Sequence, residues 1–272
     1  MNLTFLIARD SIKALLHQRL LVGLMLASFG MTVFFSAIMG RTRDNITAQF
    51  DFSSAETNSP VFGKMNDQDK KKMSEAMEQG ATAIQGFFYA AGSFGGSIVA
   101  LMIFSTAVST EIRRGTIRLT LSKPVSRLQY LGGKYLGGLA VMVFYAVLTS
   151  LAVLLFSASA KVQLSPVLSY APWLMFCRQL MLGSVAMLLS FFLHPAIAAV
   201  LAFFAGNGLF SISNPLYYIL PSYAPFNVFT AILQGSMMKR TDVLLLTLYA
   251  FDIVAVMFLL ALWRFQKKEV CS

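Results

Sequence analysis

The sequence EIRRGTIRLTLSKPVSRLQYLGGK occupies residues 111–134 and separates two long apolar stretches of the chain. It contains six of the 22 Lys and Arg residues. Positive charge beside an apolar span marks the cytoplasmic side of a membrane protein. We therefore expect the flanking stretches to cross a membrane, with this basic segment in the cytoplasm.

The composition of the whole chain is that of a helical membrane protein. The chain is 57% hydrophobic and only 12% charged, with a mean hydropathy of +0.67, whereas soluble domains are about 25% charged. Its 272 residues allow several spans of ~20 residues each. Most of the +10 net charge lies beside these spans. We predict an all-α polytopic membrane protein, surrounded by lipid, that does not bind nucleic acid.

The apolar stretches predict six transmembrane helices. An amphipathic helix at 3–19 would precede them on the inner leaflet. Its apolar side chains recur at helical spacing: Phe5, Ala8, Ile12, Leu15 and Leu16. The spans are expected at 20–39, 87–109, 132–157, 172–192, 195–212 and 243–263, with His194-Pro195 as the break before the fifth. Between them lie an outer loop containing a helix (41–85), the basic loop (111–127) and an outer re-entrant region (213–242).

The distribution of charge predicts the orientation. With both termini and the basic segment inside, twelve Lys and Arg residues face the cytoplasm and nine face outward. Six of those nine lie in the long 41–85 loop, where charges far from a span have little influence. We expect both termini in the cytoplasm, with the protein in the plasma membrane (the inner membrane of a bacterium).

Motifs for catalysis are missing from the sequence. The string nearest to a P-loop, LGGKY at 131–135, lacks the upstream Gly and the hydroxyl residue that follows the Lys. No zinc-protease, paired-cysteine or nucleophile-elbow motif occurs. Cys177 and Cys271 are far apart and predict neither a disulfide nor a metal site. We predict that this chain is not an enzyme and binds no metal or cofactor itself.

The basic loop contains residues that are not needed to fix the orientation of the protein in the membrane. Glu111 can pair with Arg114 one helical turn later. Gly115 would let the helix bend or let a partner's backbone approach. Pro124 is expected to end the element, and Ser126 to cap the helix that follows. Charge that served orientation alone would need no acid, no Gly and no ordered turn, so we interpret the loop as a docking surface.

The residues E-I-R-R-G-T-I-R-L-T-L-S-K-P-V-S-R-x-x-Y-x-x-G-K closely resemble the cytoplasmic loop of type-2 ATP-binding-cassette (ABC) permeases. The resemblance extends to the amphipathic first helix, the six spans and the interrupted segment before the last. It implies a permease dimer with two separate ATPase subunits, which bind ATP and Mg²⁺ and engage this loop through a short coupling helix. The large outer segment looks most similar to permeases of the nitrous-oxide-reductase maturation group.

By this resemblance nine residues are candidates for coupling to the ATPase: Glu111, Arg113, Arg114, Gly115, Thr116, Arg118, Lys123, Pro124 and Arg127. The implied activity is export, or work on an extracytoplasmic partner, and the second permease would be an identical copy or a paralogue. Two other functions stay open. One is an ATP-independent channel or secondary transporter, and the other is a non-transporting membrane adaptor or sensor.

Three polar residues are expected inside the spans. An ionised group at the bilayer centre costs about 2.5–3.5 kcal/mol on insertion scales, so Arg178 and Asp252 should face protein or water. They would line a translocation route, form a structural ion pair, or, for Arg178, reach the surface. Asn207 is expected to form an interhelical hydrogen bond. Gly92-x-x-x-Gly96 and Gly133-x-x-x-Gly137 permit close helix contacts, although such spacings are common in Gly-rich membrane proteins.

Overall fold

The computed structural model describes residues 3–16, 67–117, 125–159, 166–206, 222–228 and 238–267, together with the isolated helical positions 23, 26, 30 and 34. Within these ranges the regular structure is entirely helical. The α-helices are α1 (Leu3–Leu16), α2 (Asp67–Thr106), α3 (Ser109–Arg114), α4 (Arg127–Ser159), α5 (Ala171–Ser190), α6 (Pro195–Gly206) and α7 (Arg240–Lys267). Two 3₁₀ turns occupy Pro166–Ser169 and Ala224–Phe226.

Four of the described segments are long and apolar enough to cross a membrane: Gln85–Arg113, Arg127–Leu155, Ala171–Ser190 and Arg240–Lys267. The chain is therefore an integral membrane protein, and the prediction of an all-α fold is confirmed. Helix α6 is apolar but has 12 described residues, short of the ~20 that a span needs. Most of the predicted first span, 20–39, lies outside the described residues, so the total of six spans stays a prediction.

The outer helix and the second span form one continuous helix. Helix α2 runs for 40 residues from Asp67 to Thr106, which corresponds to about 60 Å. The second span was expected from residue 87, and the candidate span begins at Gln85. No break separates it from the outer helix, because neither Pro nor a capping residue interrupts the backbone hydrogen bonding there. Eighteen residues of α2 precede the candidate span that begins at Gln85, and the helix extends beyond the apolar layer at that end.

Helix α5 forms the centre of the bundle and packs against α2, α4, α6 and α7. Fifteen of its 20 residues are buried, as expected for a helix that is apolar on most of its surface. A Cβ added at Gly183 would lie 2.3 Å from the ring of Phe104, so this contact requires Gly. Helix α5 ends at Ser190 and α6 begins at Pro195, which confirms the predicted break at His194-Pro195.

Helix α1 packs directly against α4. A Cβ at Gly133 would lie 2.8 Å from Ile7 Cβ, and one at Gly137 would lie 2.7 Å from Ser11 Cβ. The second Gly-x-x-x-Gly spacing is thus the part of α4 against which α1 packs. Phe5, on the predicted apolar face of α1, is 65% exposed and does not pack against the bundle; the location of α1 on the inner leaflet stays a prediction. Gly133 and Gly137 on α4 allow the two backbones to approach closely, and Ile7 and Ser11 of α1 lie against them.

Candidate functional site

Helix α3 is a short element at the end of α2, reached through a turn at residues 107–108. It ends at Gly115, which has a φ of +70°, and the Gly115 N–H donates to the carbonyl of Ile112 at 3.2 Å. The left-handed conformation costs residues other than Gly about 1–2 kcal/mol. Helix α3 therefore ends at Gly115. The predicted end of the basic element at Pro124 lies outside the described residues.

Glu111 joins α3 to α4. Its carboxylate accepts hydrogen bonds from the Tyr130 hydroxyl and from the Lys134 ammonium. Tyr130 and Lys134 are four residues apart, so they lie on one face of α4. The sequence predicted a local partner, Arg114, whose side chain lies outside the described part of the structure. The partners observed come instead from a different helix, and Glu111 braces α3 against the start of α4.

The start of α4 carries a reciprocal cap. The Gln129 N–H donates to Ser126 Oγ at 3.2 Å, and the Ser126 N–H donates to Gln129 Oε1 at 3.1 Å. Two backbone donors that would lack a partner at a helix N-terminus are satisfied in this way. The prediction that Ser126 caps this helix is confirmed, and the cap fixes the direction in which the basic loop enters α4.

Arg127 joins the start of α4 to the end of α7. Its Nη1 donates to the carbonyls of Phe265 and Gln266 at 3.0 and 2.5 Å. These carbonyls lie in the last turn of α7, where no intrahelical donor is available. The guanidinium also lies 5.8 Å from the centre of the Phe265 ring. A cation at a helix C-terminus stabilises the helix dipole as well.

An aromatic cluster fills the space between these ends. The buried Tyr130 ring stacks on Phe265, with the ring centres 5.8 Å apart, and Phe265 lies 5.9 Å from Phe191 at the end of α5. The ends of α5 and α7 and the start of α4 therefore meet at one end of the bundle. The sequence interpretation missed Tyr130 and Phe265. The four-residue spacing of Tyr130 and Lys134, which places both on one face of a helix, was the signal in the sequence that could have identified Tyr130.

The outer side of this junction is exposed. Arg113, Gly115 and Thr116 are exposed, whereas Ile117 is buried and anchors the turn. A Cβ at Gly115 would meet no atom of the described part of the chain within 4 Å. We call residues 113–116 the docking turn, after the role that the sequence predicts for them. Of the other candidates, Glu111 and Arg127 form the internal contacts above, while Arg118, Lys123 and Pro124 lie outside the described residues.

The candidate intramembrane charges occupy different surroundings. Arg178 is partly buried on α5, and its Nη1 lies 3.4 Å from Ser93 Oγ on α2. Asp252 is exposed midway along α7. No ion pair joins the two within the described part of the chain. Asn207 lies outside that part.

Comparison with known proteins identifies the family. No curated protein matches the chain closely enough to count as a relative. The family model described as "ABC-2 family transporter protein" matches residues 7–270, a range that includes the docking turn and every described helix beyond α1. The chain belongs to the ABC-2 transporter family and is an ABC transporter permease.

Proposed function

We propose that a separate ABC ATPase subunit drives this permease by pressing on the docking turn. Family membership implies an ABC ATPase partner, and members of the family are generally non-catalytic membrane components. The observation that carries the proposal is the bond of Glu111 to Lys134 and Tyr130. It makes the exposed turn part of the same rigid junction as the helices that enter the membrane.

A force on the docking turn would reach three membrane helices. Helix α3 follows α2 after two residues, so a displacement of the turn moves the end of α2. Glu111 transmits the displacement to α4, and Arg127 transmits it to the end of α7. ATP and Mg²⁺ would be bound by the ATPase. This chain would contribute the docking surface and the helices α2, α4 and α7 that move with it.

We infer a twofold assembly of two permeases, identical or paralogous, with two ATPases. The docking turn and both termini would lie in the cytoplasm, and the complex in the plasma membrane, the inner membrane of a bacterium. Asp252 supports a second permease at α7, because a carboxylate exposed to lipid near mid-span would cost about 2.5–3.5 kcal/mol. We therefore place the exposed side of α7 at Asp252 in the contact with the second permease.

We further infer that the cycle results in export or in work on an extracytoplasmic partner. The N-terminal part of α2 supports such a partner. Eighteen residues of α2 precede its candidate span, so the helix extends about 27 Å beyond it at the end opposite to the docking turn. A movement of α2 at the docking turn would be carried to this extension.

Co-purification tests the proposal. Tagged permease is isolated from native membranes in mild detergent, and its partners are identified by mass spectrometry. We expect an ABC ATPase in a stoichiometric amount, and we expect its hydrolysis rate to change when the permease is added in nanodiscs. If no ATPase is recovered and none responds to the permease, the proposed function is wrong.

A further inference from the structure

The last turns of α7 carry two cations that lie against aromatic rings. The Arg264 guanidinium is 4.9 Å from the centre of the Phe192 ring, just past the end of α5. The Lys267 ammonium is 4.1 Å from the centre of the Trp263 ring. Lys267 follows Arg264 by three residues and Trp263 by four, so it neighbours both on the helix surface. We call these four residues the α7 patch.

The α7 patch lies at the surface of the bundle, at one end of a candidate span. Trp263 is 53% and Phe192 58% exposed, Lys267 is exposed and Arg264 is partly buried. The candidate span Arg240–Lys267 ends at this patch. Exposed aromatic rings at the end of a span lie at the level of the lipid headgroups. The cations of the patch are therefore placed beside the phosphate groups of the bilayer.

The positive charges of the patch have no acidic partner in the described part of the chain. Neither Arg264 nor Lys267 forms an ion pair there, and Arg264 Nε has no hydrogen-bond partner. Arg127 adds a further positive charge to the same turn, where it donates to the carbonyls of Phe265 and Gln266. This end of α7 thus combines an excess of positive charge with exposed aromatic rings.

We propose that the α7 patch binds the headgroup of an anionic phospholipid in the leaflet at the docking-turn end of the bundle. A guanidinium fits phosphate oxygens with paired donors, and Lys267 would supply a second positive charge. Trp263 and Phe192 would contact the first methylene groups of the acyl chains. Charge that served orientation alone would need no aromatic support. The rings restrict the cations before the lipid arrives, which lowers the entropy lost on binding.

Fluorescence quenching of Trp263 tests the proposal. The chain has two Trp residues, so Trp173→Phe leaves Trp263 as the single reporter. The full chain is reconstituted in phosphatidylcholine nanodiscs that contain an increasing fraction of phosphatidylglycerol with brominated acyl chains. A parallel series contains brominated phosphatidylcholine instead. Bromine quenches Trp fluorescence on contact, so the difference between the two series measures the enrichment of anionic lipid at the patch.

We expect phosphatidylglycerol to be preferred over phosphatidylcholine at Trp263 by about tenfold or more, since one basic residue near an anionic headgroup contributes about fivefold. Arg264→Met and Lys267→Met should each reduce this preference about fivefold. Lys267 is exposed, so its substitution tests the proposal even if Arg264→Met lowers the melting temperature.

Arg240→Met is the matched control, because it removes an exposed cation from the opposite end of the same helix. The preference at Trp263 should not change in this variant. Equal quenching by the two lipids, a preference that survives both substitutions at the patch, or an equal loss in Arg240→Met overturns the inference. Each of these results leaves the ATPase proposal standing, because co-purification tests that proposal separately.

Discussion

The Lys134 ammonium on α4 donates a hydrogen bond to the Glu111 carboxylate on α3, and this ion pair connects the two helices on either side of the basic loop. Lys134 is 14% and Glu111 29% exposed, so solvent only partly screens the pair. Glu111, the acid in an otherwise basic loop, therefore connects two helices of the chain. The ion pair holds α3 against the start of α4.

The first prediction concerns this pair. Glu111→Ala should lower the free energy of unfolding by about 1–3 kcal/mol, because Tyr130 and Lys134 lose a charged acceptor. Lys134→Met should cost less, since Tyr130 still bonds to Glu111. In a double-mutant cycle of the two substitutions, measured by thermal unfolding in nanodiscs, we expect a coupling energy of about 0.5–3 kcal/mol. Strictly additive effects would mean that the pair does not hold the helices together.

The second prediction concerns Arg127. Arg127→Met should increase hydrogen exchange in the last turn of α7, because the carbonyls of Phe265 and Gln266 lose their capping donor. Amides elsewhere in α7 should exchange as before, as measured by mass spectrometry. The matched control is Arg113→Met, which removes an exposed charge of the docking turn. Equal exchange in both variants would argue against Arg127 as a cap.

The third prediction separates backbone strain from contact at Gly115. Gly115→Ala and Gly115→Trp should both lose about 1 kcal/mol of stability, because both force a side chain into the left-handed region. A Cβ at this position meets no atom of the described residues within 4 Å, so the larger side chain should cost no further stability. Only Gly115→Trp should lose the co-purified ATPase. If the two variants retain it equally, residue 115 does not touch the partner.

The fourth prediction concerns the packing of α1 against the glycines of α4. Gly137→Val should destabilise the protein by about 1–3 kcal/mol, because its Cβ would lie 2.7 Å from Ser11 Cβ and 3.1 Å from the Ala8 carbonyl. Gly132→Ala is the control, since its Cβ would only touch Thr4 Cγ2 at 4.0 Å and Ala favours helix. Thermal unfolding measures both. A loss of stability in Gly132→Ala, or none in Gly137→Val, would contradict the observed packing of α1.

Local signals in the sequence predicted what depends on neighbouring residues. The break at Pro195 and the cap at Ser126 follow from backbone chemistry within four residues, and both are present. The partner Lys134 of Glu111 was not predicted, because it lies 23 residues away and is brought near by the reversal of the chain. The continuity of α2 was missed since polarity changes at residue 85 while helix propensity does not.

The tertiary roles of individual polar residues could not be read from the sequence. A Gly-x-x-x-Gly spacing does not reveal its partner, and the structure shows that α1 occupies Gly133 and Gly137. Arg178 was recognised as an intramembrane charge. The burial of Tyr223 could not be predicted, because it depends on how the segment 222–228 packs on α5. These facts arise from packing between elements far apart in the chain.

Site-specific photo-crosslinking tests the docking of the ATPase most directly. A benzophenone amino acid is introduced at Thr116 in the docking turn, and separately at Lys239, which is exposed at the start of α7 and therefore at the opposite end of the bundle. After irradiation of intact cells, the adducts are identified by mass spectrometry. We predict an ABC ATPase adduct at position 116 and none at position 239. An ATPase adduct at 239, or its absence at 116, would contradict the proposed docking of the motor subunit.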